Sequence, residues 1–229
     1  FFFEKRGIYY RRNEFKPNRP ILVFIHGVIG SSSIWHSYER AFEKDYNVLS
    51  LDLRGHGKSL RLPRLEDYAI PKFSEDLREL LEYCEIEKCV LISNSFGTLV
   101  ALDFTGKHQK MVSSVIFISP HFAIGKLENA WLVKPLLEFA AKIKLSRKMH
   151  HSNAYAMGEH VDYSKYVNTG DWNVRRNLAA VKDTGVRFFL YTLAQAYRFN
   201  GESILKKIKI PTLIIHGAKD TIIPLRYGV

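Results

Sequence analysis

The sequence predicts an α/β protein: a mostly parallel sheet flanked by helices, with a helical insertion late in the chain. Three observations predict it. Short, continuous apolar runs recur through residues 1–120. Segments of helical spacing separate these runs, the alternation expected of parallel strands joined by crossover helices. After a long strand-free stretch one more apolar run returns, Thr212-Leu213-Ile214-Ile215.

The elements follow in order. Ile21-Leu22-Val23-Phe24-Ile25 has no polar member, as suits a strand covered on both faces, and it stops at His26-Gly27. Residues 34–42 have a helical pattern. Val48-Leu49-Ser50-Leu51 is the second strand and ends in Asp52-Leu53-Arg54-Gly55-His56-Gly57. Residues 74–83 form a helix in which Leu77, Leu80 and Leu81 share one face, with acidic residues and Arg78 opposite. Cys89-Val90-Leu91-Ile92 is the third strand. It runs into Ser93-Asn94-Ser95-Phe96-Gly97 and then a helix through Leu99, Val100, Leu102 and Phe104. Val115-Ile116-Phe117-Ile118 is the fourth, stopped by Pro120. Helices are expected at 131–145, 174–181 and 188–197, with no buried strand among them. The fifth strand is the run at 212–215, ended by His216-Gly217. The expected organisation is therefore a first core segment at 1–120, a helical insertion at 121–204 and a second core segment at 205–229.

Composition narrows the class. At 229 residues the chain is long enough for one α/β domain with a sizeable core. No apolar run approaches the roughly 20 residues that cross a bilayer, so no stable membrane insertion is expected. The start, Phe1-Phe2-Phe3-Glu4-Lys5-Arg6, lacks a leader pattern, and its lack of Met suggests a cut N-terminus. Cys84 and Cys89 match neither a redox pair nor a zinc knuckle. Two unpaired thiols suit a reducing cytosol, and a cytoplasmic location is expected. The net charge of +11 is spread over several basic clusters, such as Arg11-Arg12 and the lysines at 206–209. No nucleic-acid motif accompanies it, so it reads as a solvated surface with no nucleic-acid partner.

The strand–Ser–helix junction carries the strongest chemistry. Ser95 has small residues two before it (Ser93) and two after it (Gly97), the G-x-S-x-G pattern with Ser in the first glycine position. A nucleophile in so sharp a turn leaves no room for bulk beside it. The turn sets the hydroxyl at a helix N-terminus, where the dipole and N–H groups favour negative charge. His26-Gly27-Val28 follows an earlier strand, where a second oxyanion donor is needed. The expected donors are the backbone N–H groups of Phe96 and Val28. Gly27 allows close backbone approach, and His26 is expected to hold the loop by hydrogen bonds. Asp220 lies just past the last strand, where a carboxylate can orient a histidine that serves Ser95.

These segments resemble the α/β-hydrolase superfamily, from about residue 21 to residue 224. Asp52-Leu53-Arg54-Gly55-His56-Gly57-Lys58-Ser59 is similar to a mainly structural loop of that family. The resemblance implies an α/β-hydrolase fold with a helical cap at the insertion, Ser95 as nucleophile and Asp220 as triad acid. It implies a carboxylic ester as the small-molecule substrate, an acyl-enzyme intermediate, and no cofactor or metal. The family's histidine follows the acid, and none lies beyond His216 here. The expectation is therefore a C-terminally truncated chain, of low or no activity alone, with His121 as an upstream alternative base. Asn94 directly before Ser95 resembles the Asn-Ser pair of carbon–carbon bond hydrolases that act on ring-fission products, a second reading. A non-catalytic ligand-binding or sensor role, known among relatives, is the third.

Other motifs fail. Gly57-Lys58-Ser59 would end a P-loop only if glycine stood at Asp52, and Gly55-His56-Gly57 would open a dinucleotide fingerprint only if glycine stood at Leu60. His150, His151, Glu159 and His160 fit no zinc spacing. Trp131, Phe139, Tyr155 and Trp172 are expected to pack the insertion, some of them lining an apolar pocket.

Overall fold

The computed structural model describes residues 1–123, 125, 135, 186–220 and 223–225. Its strands are β1 (Phe2–Phe3), β2 (Ile8–Arg12), β3 (Ile21–Ile25), β4 (Asn47–Leu51), β5 (Cys89–Asn94), β6 (Val112–Ile118) and β7 (Thr212–Ile215). The described helices are α1 (His36–Phe42), α2 (Ile70–Tyr83), α3 (Phe96–His108), α4 (Val186–Arg198) and α5 (Glu202–Leu205). The strands form one sheet in the order β1-β2-β4-β3-β5-β6-β7. Pairing is parallel from β4 through β7, and antiparallel where β1 meets β2 and β2 meets β4.

All five strands expected from the apolar runs are present. The antiparallel pair β1–β2 was not foreseen. Along β2, Ile8 and Tyr10 are buried while Tyr9 and Arg11, on the other face, are half-buried. That alternation marks a strand with one wet face, which has no continuous apolar run. Helix α2 also starts four residues before the expected 74. Its entry is set by Pro71 in the first turn, where a missing N–H costs nothing. Of the helices expected in the insertion, the one at 188–197 appears as α4. Those at 131–145 and 174–181 lie outside the described residues. So do Trp131, Phe139, Tyr155, Trp172, His150, His151, Glu159 and His160.

Side chains alternate across the sheet, which gives two cores. Val23, Ile25, Leu49, Leu51 and Leu91 pack with helices α2 and α3 on one face. Leu22, Phe24, Val48 and Ile92 pack with Trp35 on the other. Helix α3 is buried from Phe96 to Thr105, which explains its apolar composition on every side. Helix α4 rests on the segment after β4: Tyr68 meets Phe188 and Tyr191 with ring centroids 5.9 and 5.6 Å apart, and Gln195 Nε2 donates to the Leu65 carbonyl at 3.0 Å. No described helix is long and apolar enough to cross a membrane.

The strand order positions the site. From β3 the chain moves outward to β4, then returns to β5 on the other side of β3. The loops leaving the C-terminal ends of β3 and β5 therefore diverge and open a crevice between them, the place where parallel sheets hold ligands.

One buried ion pair braces the loop after β4. Arg54 Nε and Nη2 each donate to the Asp76 carboxylate at 2.6 Å, and Arg54 Nη1 donates to the Asp67 carbonyl at 2.6 Å. Asp76→Ala strands the guanidinium in a buried site. The expected loss is about 3–5 kcal/mol, read from urea unfolding midpoints.

Candidate active site

Ser95 stands between β5 and α3 with φ +49° and ψ −118°, a conformation that non-glycine residues rarely adopt. The surroundings impose it. Ser95 N–H donates to the Ile118 carbonyl at the end of β6, 2.9 Å away. The Ser95 carbonyl accepts from Thr98 twice, from its N–H at 2.9 Å and its hydroxyl at 2.6 Å. Among the described residues the Ser95 hydroxyl makes no hydrogen bond, and it does not cap α3. It is half-buried at the crevice, not packed in the core.

Both small neighbours have physical reasons. A Cβ at Gly97 would lie 2.6 Å from the His26 carbonyl oxygen and 2.7 Å from that of Ile25, so only glycine lets α3 sit against the end of β3. At position 93 a serine is accommodated because its buried hydroxyl donates to the Ile116 carbonyl at 3.3 Å.

The His26-Gly27-Val28 loop lies beside the nucleophile. A Cβ at Gly27 would fall 3.3 Å from Ser95 Cβ and 3.2 Å from Asn94 Oδ1. His26 is fully buried, and Leu53 N–H donates to its Nε2 at 2.9 Å. The ring proton therefore sits on Nδ1, which donates to the Gly27 carbonyl at 2.7 Å. That carbonyl belongs to the same planar peptide as the Val28 N–H, which must point the opposite way. His56 holds the other side of the residue, its Nε2 3.0 Å from the Val28 carbonyl and its Nδ1 2.9 Å from that of Arg54. The N–H groups of Val28 and Phe96 donate to nothing among the described residues.

Asp52 performs a structural task, as expected. Its Oδ1 accepts from Ser32 N–H at 2.7 Å and its Oδ2 from Lys58 N–H at 2.8 Å. Gly57, at φ +48°, is packed directly on that carboxylate. Asn94 is turned against the sheet, with its Nδ2 3.5 Å from the Ile118 carbonyl. The two cysteines are unpaired, and burial pushes the Cys89 thiol up to about 12, so it is no nucleophile.

Asp220 lies past the C-terminal end of β7, on the same edge of the sheet as Ser95. Its Oδ1 accepts from Ile223 N–H at 2.9 Å, and its Oδ2 is 3.7 Å from His216 Nε2. His216 in turn is bound through Nε2 to the Ile223 carbonyl at 2.7 Å. The structure thus brings together Ser95, Phe96, Gly97, Asn94, His26, Gly27 and Val28. It records no contact between Ser95 and Asp220, and no described histidine bonds the Ser95 hydroxyl. Thr98 and the tie from His56 to Val28 were not foreseen. Thr98 has a local signal, a hydroxyl three residues past the serine.

Comparison with known proteins agrees with this fold. Residues 20–229 match the family described as alpha/beta hydrolase fold. An uncharacterized protein of Mycobacterium tuberculosis is 24% identical over 221 residues, 91% of this chain and 64% of its own length. A putative esterase/lipase of Haemophilus influenzae is 26% identical over 180 residues, 68% of this chain and 62% of its own. The chain thus spans under two thirds of the length of these relatives. In structure, the enol-lactonase of Burkholderia xenovorans shares the fold, with a TM-score of 0.70 at 20% identity over 96% of this chain and 82% of that one. The protein is a member of the α/β-hydrolase fold family.

Proposed function

We propose that the protein is a serine hydrolase that cleaves a small carboxylic ester through an acyl-enzyme. The observation that carries this is the strained Ser95, its hydroxyl unbonded among the described residues and beside two backbone donors that no described group engages, the N–H groups of Val28 and Phe96. A histidine takes the Ser95 proton as Oγ attacks the substrate carbonyl. The resulting oxyanion sits on the two N–H groups. Collapse expels the alcohol, which leaves with that proton. Water, deprotonated by the same histidine, then releases the acid and restores Ser95. Asp220 is the acid that orients this histidine. Two relatives support the ester chemistry, the putative esterase/lipase and the enol-lactonase, whose names describe ester hydrolysis.

A fluorophosphonate probe tests this reading in the full-length protein. Covalent labelling that disappears in Ser95→Ala is expected. A folded protein that takes no label contradicts it and favours a ligand-binding role.

His26 acts here as a positioning residue, since it directs the Val28 N–H without touching substrate. His26→Ala is expected to lower kcat on the order of 100-fold with a smaller change in KM. His26→Asn, whose amide can still reach the Gly27 carbonyl, is expected to recover part of that loss. Equal losses in the two variants would argue for a purely structural histidine.

A further inference from the structure

Among the described residues, His121 is a buried histidine that the mechanism leaves unused. It follows β6 on the same sheet edge as Ser95. Ile118 pairs with Asn94, and its carbonyl accepts the Ser95 N–H at 2.9 Å. Three residues further on stands His121, at most about 11 Å along the chain from Ile118. The intervening backbone is pinned. Ser119, at φ +46°, donates its N–H to the Ile215 carbonyl at 2.8 Å, and the Phe122 carbonyl accepts from Gly201 N–H at 2.7 Å. Phe122 also packs edge-on against Phe117, with ring centroids 5.3 Å apart.

His121 is only 4% exposed, yet its Nδ1 is buried with no hydrogen-bond partner among the described residues. His26 and His56 bond backbone groups through both ring nitrogens, and His216, whose Nδ1 is also buried without a described partner, bonds one through Nε2. A buried polar atom left unpaired is costly unless something pairs with it in the working state. His121 does not fit the role of triad base. Among the described residues no carboxylate meets its Nδ1, and burial pulls its pKa down to about 4, so it would hold the Ser95 proton poorly at neutral pH. A neutral imidazole is well suited to a different task, a hydrogen bond to an uncharged oxygen.

We propose that His121 is a specificity-determining residue, whose imidazole hydrogen-bonds an oxo or hydroxyl oxygen on the acyl part of the substrate, close to the scissile carbonyl. This rests on the ester reading at Ser95. It narrows the substrate from any small ester to one with an oxygenated acyl chain.

Two measurements on the full-length protein test it. The first compares kcat/KM for nitrophenyl butyrate, 3-oxobutyrate and 3-hydroxybutyrate in the parent, His121→Leu and His121→Asn. Preference for one oxygenated ester over butyrate is expected to fall about tenfold or more in His121→Leu, and to be partly kept in His121→Asn. The favoured ester tells whether the ring donates to an oxo group or accepts from a hydroxyl. An unchanged preference overturns the proposal. The second follows the His121 ring nitrogens by NMR in the parent protein as acetoacetate, 3-hydroxybutyrate or butyrate is added, and needs neither turnover nor a folded variant. A shift with an oxygenated acid and none with butyrate supports the proposal, and equal responses or none overturn it. Hydrolysis without discrimination sinks this inference alone, whereas discriminating shifts without any hydrolysis sink the Ser95 reading alone.

Discussion

Replacing Ser95 by Ala in the full-length protein is expected to lower ester turnover by at least about 10⁴-fold. The loss falls on kcat, because Ala removes the atom that forms the acyl-enzyme and leaves the crevice nearly unchanged in shape. Folding should be unharmed. The Ser95 hydroxyl makes no hydrogen bond to the described residues, so its removal leaves none of their polar groups unsatisfied. The strained backbone remains, held by the Ile118 carbonyl and by Thr98. A thermal midpoint within a few degrees of the parent, together with lost turnover, is the expected pair of results. A variant retaining most of its turnover would show that the chemistry lies elsewhere.

Gly97→Val is expected to do the opposite, destroying stability and activity together. Two carbonyl oxygens, those of Ile25 and His26, occupy the space a side chain would need. The first ends a central strand and the second follows it directly, beside a buried and bonded histidine ring, so neither swings away easily. Helix α3 must then retreat from β3, opening the contact that also sets Ser95 beside Gly27. A loss of about 3 kcal/mol or more is expected, read from urea unfolding with the slope unchanged. Gly106→Ala is the matched control in the same helix. The atom facing it is the Ile204 Cγ2, the end of a side chain, which can move aside. Its effect should be clearly the smaller of the two.

The fold was legible where both faces of a strand are buried. Val23 and Ile25 serve one core while Leu22 and Phe24 serve the other, so the sequence shows an unbroken apolar run. Strand β2 was illegible by that criterion. Its less buried face carries Tyr9 and Arg11, and Arg12 at its end is exposed, so the segment has no unbroken apolar run and the paired arginines read as a solvated surface. The start of α2 at Ile70 was missed because its first turn holds Pro71 and Lys72, not the leucine stripe further on.

The candidate site divides in the same way. The bend at Ser95 is local, so its small neighbours announce it, and the holding role of His26 could be read from the loop it opens. Long-range ties were not readable. Nothing near His56 in sequence says that its ring meets the Val28 carbonyl, and nothing near His121 says that its Nδ1 is buried without a partner. Asp220 had to be assigned from its place after the last strand. The structure puts it on the Ser95 edge of the sheet, with its carboxylate against Ile223 and His216.

The most direct test of the central claim is to catch the covalent intermediate. The full-length protein is mixed with nitrophenyl acetate, quenched in acid during turnover and digested, and the peptide containing residue 95 is weighed. The account predicts an added acetyl group on Ser95 that vanishes when substrate is exhausted. Steady ester hydrolysis with that peptide unmodified at every quench time would contradict it.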